Sequence, residues 1–276
     1  MTVLVIGASG QIGQFLLPRL ADAGADVLAV SRQPPADSRW LVGALPDAMP
    51  ELPALDAVIS LGPLDHLAPW LSATRLAGTP HVIATSSMSA ETKRDSDVPE
   101  ERELSRRLRD AETTLIATCA SRGMPWTLFR PTLIYGAGVD KSLTPIVHAA
   151  LRRRVFPIPA GRGQRQPVHA EDIAEAIMAA LGSPFARGHT FPIGGGERMS
   201  AAEMFRRVRR SAGGPTLPAP IPRLALDLAA LVSPAMRGPI RRLDSDLIAD
   251  NRELERVLDV HPRPFRPRPE TWWPPR

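Results

Sequence analysis

The feature that most restricts the fold of this chain is a glycine-punctuated turn, Gly7-Ala8-Ser9-Gly10-Gln11-Ile12-Gly13, set between a β-branched run and a helical pattern. The run before it, Thr2–Ile6, reads as a strand, and residues 11–23 place Ile12, Phe15, Leu16 and Leu20 on one helical face. In such a turn the first glycine lets the chain leave the strand tightly. The second removes the Cβ that would hold a pyrophosphate away, and the third lets helix and strand pack closely. The helix N-terminus then offers free N–H groups and partial positive charge to phosphates. Gly7, Gly10 and Gly13 are therefore the residues expected to shape a dinucleotide site.

Downstream, short apolar runs alternate with longer helical stretches. Strands are expected at 26–30, Trp40–Val42, 57–61, His81–Thr85 and 126–130, with helices at about 66–76 and 100–122. In the longest helix Leu104, Leu108, Ala111, Leu115 and Thr118 recur at three- and four-residue spacing. Parallel strands joined by helices connect right-handedly, which gives an α/β fold with a doubly wound Rossmann sheet. After Pro131, glycine and proline thicken. Helices are expected at Thr144–Arg153, 171–181 and 200–211, the last opened by a Ser200/Glu203 capping box, with a strand at His189–Ile193. Loops are expected around Pro157, Pro159, Gly161 and Gly163, and amphipathic segments at 224–231 and 243–258. The tail 262–276, with Trp272-Trp273, either wraps the domain or docks a partner. The expected division is a dinucleotide-binding domain over 1–160 and a smaller, interleaved C-terminal substrate or partner lobe over 161–276.

The second strand ends Val30-Ser31-Arg32, without the acid that holds the ribose 2′-hydroxyl of NAD. Ser31 and Arg32 can instead meet a 2′-phosphate, which favours NADP and leaves NAD possible; a solvated loop arginine is the plain alternative. Two of the 34 basic residues are lysines, Lys93 and Lys141, and the 34 face 29 acids. The arginines lie among acids in helical patterns, with no basic tract interleaved with aromatics, which argues against nucleic acid as a partner. One cysteine, Cys119, excludes an internal disulfide, and no His/Asp/Glu cluster has metal-ligand spacing, so no metal is expected. No apolar run approaches the ~20 residues of a membrane helix, and no basic region precedes the first strand, so a soluble, cytoplasmic protein is expected. The apolar stretch from Ile221, with arginines at 237, 241 and 242, suits a surface-lying membrane helix, but packing over a substrate cleft is the favoured expectation. Nothing in the sequence sets the oligomeric state.

The Gly7/Gly10/Gly13 spacing, Arg130-Pro131-Thr-Leu-Ile-Tyr135-Gly136 and Pro167-Val168-His169-Ala-Glu-Asp172 together resemble the extended short-chain dehydrogenase/reductases over roughly residues 1–200. Ser86-Ser87-Met-Ser with Lys93, Gly163-Gln-Arg165-Gln-Pro-Val-His169 and His261-Pro-Arg-Pro-Phe265 resemble an atypical, complex I accessory-subunit-like branch termed NAD-dependent epimerase/dehydratase-like. The resemblance implies that Gly7, Gly10, Gln11, Ile12 and Gly13, with Ser9 among them, face the cofactor's pyrophosphate, that Leu61, Gly62 and Pro63 pass the adenine and ribose side, that Thr85, Ser86 and Ser87 end the strand beside the nicotinamide, and that Pro131 covers its amide. It implies that Arg165 grips a nucleotide diphosphate; a loop ion pair is the equally plain alternative.

Working members of that family use a tyrosine whose pKa is lowered by a lysine four residues on. The resemblance puts Leu104 and Leu108 at those positions, and the single tyrosine, Tyr135, is followed four residues later by Val139. The Tyr-x-x-x-Lys pair is therefore absent from the whole chain. Ser87, Lys93 and Tyr135 are the candidate substitutes. Their structural alternatives are a strand-end hydroxyl on backbone for Ser87 and a packed aromatic for Tyr135, and His169 reads as a hydrogen-bonded structural residue. Two functions stay open. One is an oxidoreductase or epimerase acting on a nucleotide-linked sugar or similar small-molecule carbonyl with a non-standard proton donor. The other is an inactive NADP-binding scaffold or redox sensor stabilised by its cofactor.

Overall fold

A computed structural model describes residues 1–33 and 40–274, with backbone alone at 234 and 235. The first half runs β1 (Thr2–Ile6), α1 (Gly13–Asp22), β2 (Asp26–Ser31), β3 (Trp40–Val42), β4 (Ala57–Ser60), α2 (Leu64–Ala73), β5 (His81–Thr85), the single turn α3 (Ser89–Thr92), α4 (Pro99–Ser121) and β6 (Trp126–Pro131). The second runs β7 (Ile134–Tyr135), α5 (Thr144–Arg153), β8 (Val155–Pro159), β9 (Gln164–Arg165), β10 (Val168–His169), α6 (Ala170–Gly182), β11 (His189–Ile193), β12 (Met199–Ser200), α7 (Ala201–Arg210), β13 (Leu217–Ile221), α8 (Arg223–Val232), α9 (Pro234–Arg242) and α10 (Arg252–Leu258).

Seven parallel strands form the main sheet in the order β3-β2-β1-β4-β5-β6-β11. Chain direction across the sheet reverses between β1 and β4, so a crevice opens at the carboxyl ends of those strands. Every residue of β4 and β5 is buried, because helices cover both faces, and this is why these strands read as continuous apolar runs. On one face α1, α6 and α10 pack Leu16, Leu20, Ile173, Ile177 and Leu254 against the sheet. On the other, α2 and α4 contribute Leu67, Trp70, Leu71 and Leu115. The sheet thus draws on both sides of residue 160, since β11 pairs with β6 and α6 packs on α1.

A second lobe is built on α5, α7, β8 and β13 around Val147, Phe156, Met204, Val208, Phe265 and Trp272. Its α7 opens as the capping pattern predicts, with the Ser200 hydroxyl accepting the Glu203 N–H at 3.2 Å. Trp272 from the tail is fully buried and its indole N–H donates to the Ser211 carbonyl at 3.1 Å.

Three expectations differ from the structure. The proline-rich stretch 155–159 is strand β8, paired in parallel with the equally proline-rich β13. The Leu217 N–H donates to Arg154 O and the Ala160 N–H to Ile221 O, so the alternate positions 157, 159, 218 and 220 face outward. Proline is tolerated there because no ladder donor is needed. Helix is confined to Arg252–Leu258 within the amphipathic stretch 243–258. Tertiary bonds claim the backbone before it: Leu247 N–H donates to Gln164 O at 2.9 Å, and the Asp246 carboxylate accepts the Gln164 N–H at 2.7 Å. Finally, helix α8 buries Leu226 and leaves Leu224, Leu228 and Leu231 exposed, so most of its apolar residues are not packed against the lobe as an amphipathic segment would have them.

Candidate functional site

The glycine loop crosses the carboxyl end of β1. Gly7 has φ +76°, and a Cβ there would lie 3.1 Å from Gly62 N. A Cβ on Gly13 would lie 1.9 Å from Ala8 O, so its role is to let the start of α1 pack against the turn that leaves β1, and it does not line the cleft. The loop closes through Gly10 N–H to Gly7 O at 2.9 Å. Ile12 precedes α1 without a side-chain cap, and the first turn has no acid, so its partial positive charge is left uncompensated.

The loop floors a cavity of about 750 Å³. Gly7, Ser9, Gly10, Gln11 and Ile12 line it together with Leu61, Gly62 and Pro63 after β4, and with Thr85 and Ser86 after β5. The Gln11 Oε1 is buried there without a hydrogen-bond partner. A cradle closed to side chains, an unpartnered buried amide oxygen and an uncapped helix end fit a pyridine dinucleotide. Ser31 Oγ lies 3.5 Å from Ser9 Oγ, and Arg32 follows, exposed, at the end of β2. Pro131 is buried outside this lining, and its carbonyl accepts the Met88 N–H at 2.9 Å.

The opposite wall carries Leu104 and Leu108 of α4, both half-buried. Beside them Arg107 reaches Asp65 of α2 at 3.1 Å, and Lys141 stands at the rim. Asp140 fixes the turn that follows Lys141 by accepting the N–H groups of Ser142 at 2.9 Å and Leu143 at 2.6 Å.

Ser87, Lys93 and Tyr135 do not line this cavity and are not brought together. Ser87 Oγ accepts the Ser89 N–H at 3.1 Å, and Lys93 pairs with Glu101 at 3.4 Å. Tyr135 is buried edge-on between the rings of His169 and Phe265, facing a separate cavity, and burial raises its phenol above the ordinary value. His169 caps α6, its Nδ1 accepting the Glu171 N–H at 3.2 Å; burial, aided by Arg263, pushes it down to about 4. Arg165 is buried, and its guanidinium donates to the carbonyls of Gln164, Ser245 and Arg242. Burial pushes the Cys119 thiol up to about 12, which leaves no reactive thiolate.

Sequence reasoning missed a buried charged network beneath Ser86. Glu112 of α4 accepts the Ser86 hydroxyl at 2.5 Å, Arg130 Nε at 2.9 Å and Arg130 Nη2 at 2.5 Å, while Arg130 Nη1 reaches Glu91 at 2.9 Å. The available signal was a lone carboxylate beside Ala111 in the apolar stripe of α4. The cleft groups Arg107 and Lys141 gave no comparable signal, being surface-type residues in polar context. Among the described residues no group of three or more His, Cys, Asp or Glu side chains could hold a metal ion.

A doubly wound parallel sheet with a glycine cradle at its switch point defines a dinucleotide-binding Rossmann protein. The model of the NAD dependent epimerase/dehydratase family matches residues 3–65 and 71–194, and the chain belongs to that family. A UDP-glucose 4-epimerase of Vibrio cholerae is 28% identical over 41% of this chain, a stretch spanning only 35% of that relative's length. An NAD(P)H azoreductase of Xenophilus azovorans is 26% identical over 77% of this chain and 74% of its own. The fold is shared with UDP-glucuronic acid 4-epimerase from Bacillus cereus in complex with NAD, at TM-score 0.70 and 15% identity over 98% of this chain and 97% of that one.

Proposed function

We propose that this chain is an NADP(H)-dependent reductase delivering hydride to a small conjugated acceptor. The observation that carries this reading is the pair Leu104 and Leu108 on the cleft wall, where the family resemblance puts the proton-donating tyrosine and its lysine. The residues that would hold the cofactor are those of the glycine loop for the pyrophosphate, Ser31 and Arg32 for a 2′-phosphate, and Thr85 and Ser86 beyond. When bound, NADPH supplies a hydride. An isolated ketone would then need a proton at its oxygen, and two leucines cannot give one. A quinone-, enone- or azo-type acceptor spreads the arriving charge over its own π system and takes its proton from water. Leucines suit the flat apolar face of such an acceptor, while Arg107 and Lys141 add positive charge at the rim.

Nucleotide-linked sugars are the less supported substrates, because Arg165 is engaged by three backbone carbonyls of its own chain. The longer of the two alignments above, with the azoreductase, points the same way. Calorimetric titration with NADPH, NADP, NADH and NAD is the first test, followed by NADPH oxidation with a quinone, an azo dye, a simple ketone and UDP-glucose. Tight NADPH binding with turnover of the conjugated acceptors alone is expected. Turnover of UDP-glucose or of the ketone would overturn the reading. Binding without any turnover would leave the second reading, a cofactor-stabilised scaffold, which the same two leucines also favour.

A further inference from the structure

Three hydroxyl groups stand at the carboxyl end of β5, and each is engaged differently. The Thr85 hydroxyl is buried and turns back to donate to the Ser60 carbonyl at 3.4 Å. Ser87 Oγ accepts the Ser89 N–H at 3.1 Å and stays outside the cofactor cavity. Ser86 lines that cavity, and its hydroxyl donates to Glu112 Oε1 at 2.5 Å. A hydroxyl has one proton and two lone pairs. With the proton given to Glu112, Ser86 Oγ keeps acceptor capacity alone, and among the described residues no group donates to it.

The commitment is enforced from behind. Glu112 is buried and accepts both Nε and Nη2 of Arg130, at 2.9 and 2.5 Å. A carboxylate paired in this way accepts and does not donate. Arg130 is held in turn by Glu91 at 2.9 Å. Turning the Ser86 proton toward the cleft would take a charge-assisted hydrogen bond from a buried carboxylate, so the hydroxyl cannot reverse cheaply.

Strand order says which part of a dinucleotide Ser86 would meet. Ser31 of β2 marks the adenosine side, and the glycine loop after β1 marks the pyrophosphate. On the far side of β1 lie β4 and then β5, so Ser86 stands two strand spacings, roughly 10 Å, beyond the loop's strand. That is the nicotinamide end. The N–H2 of the nicotinamide carboxamide can only donate, whereas the ribose hydroxyls donate or accept and gain nothing from a serine fixed as acceptor.

We propose that Ser86, held as an acceptor by the buried Glu112–Arg130 pair, binds the N–H2 of the nicotinamide carboxamide. Glu112 and Arg130 act through Ser86 as positioning residues. The inference rests on the dinucleotide reading of the cleft. Pro131, which the family resemblance puts over the amide, lies outside the cavity lining with its carbonyl taken by the Met88 N–H, and the role passes to Ser86.

The test is calorimetric titration of the full chain with NADP and two of its analogues. The thionicotinamide analogue replaces the amide oxygen with sulfur and keeps the N–H2, while the 3-acetylpyridine analogue replaces the N–H2 with a methyl. The parent should bind the thionicotinamide form about as tightly as NADP, and the acetylpyridine form roughly three- to tenfold less tightly. In Ser86→Ala the discrimination should vanish, with all three ligands bound about equally. Each comparison is made within one protein, so a loss of stability in the variant cancels, and the parent's own discrimination reads the contact if the variant does not fold. A parent that binds NADP and the acetylpyridine form equally would overturn this inference and leave the cofactor reading standing. So would a Ser86→Ala protein that keeps the parent's discrimination, which would put the amide on another acceptor. A parent that binds no dinucleotide would overturn both.

Discussion

Removing the Glu112 carboxylate tests the buried network that carries Ser86. In Glu112→Ala the side chain lost is 4% exposed and accepts three hydrogen bonds, two of them from one guanidinium. Breaking a buried pair from one side costs roughly 3–5 kcal/mol, because the surviving charge stays desolvated. Arg130 keeps its contact to Glu91 and is 20% exposed, which places the cost near the lower end, about 3 kcal/mol. At about 2–4 °C per kcal/mol for a chain approaching this size, the melting temperature should fall by roughly 6–12 °C. Removing both charges in Glu112→Leu/Arg130→Met leaves no unpaired charge buried, only the Ser86 hydroxyl and the part-exposed Glu91 without their partners, so the double variant should melt above the single one. Thermal unfolding by circular dichroism, with and without NADPH, reads both comparisons. A single variant within about 2 °C of the parent would refute the reasoning, and so would a double variant no better than the single.

Four further outcomes are expected. Arg32→Glu should weaken NADPH far more than NADH in calorimetry; equal losses would remove Arg32 from the 2′-phosphate. Gly13→Ala sets a methyl 1.9 Å from Ala8 O, so it should abolish dinucleotide binding or soluble expression, and a variant with parental affinity would contradict the packing argument. His81 is held at about 4 against 6.5, by burial first and Arg187 second, so the folded form favours its neutral state. That stability is fully present above pH 6.5 and is lost as pH falls towards 4, on the order of 3 kcal/mol in all. His81→Gln should flatten the loss in urea titrations at pH 7.5 and 5, and parallel curves for both proteins would refute it. Leu104→Tyr/Leu108→Lys should bring simple ketones into range with a rate gain of about 10²-fold or more, and no gain would mean that the missing dyad does not limit the acceptor.

The centre of the main sheet was legible because β4 and β5 are buried on both faces, so apolar runs such as His81-Val82-Ile83-Ala84-Thr85 stand out without alternation. The cradle was legible because each glycine meets a separate steric demand. The second lobe was less so. Its strands β8 and β13 are built on prolines, which normally signal loops, and the leucine spacing after residue 243 is overridden by bonds from Leu247 and Asp246 to β9. Side-chain placement was the least legible. Ser87 and Lys93 lie within eight residues of the strand end, yet a local turn engages one and Glu101 the other. Lys141, some fifty residues from Ser86 in sequence, reaches the same cavity.

The outward prolines of β8 and β13 also decide what that small sheet cannot do. An exposed strand edge is a template for another chain, and two-stranded sheets have two such edges. Here Pro218 and Pro220 remove the donors from one edge, and Pro157 and Pro159 remove them from most of the other. An incoming strand would find carbonyls with no N–H group beside the β13 prolines and a single one, at Val155, on the β8 edge. The lobe is thereby closed to strand addition and to edge-to-edge aggregation, and recognition on this side of the molecule falls to its side chains.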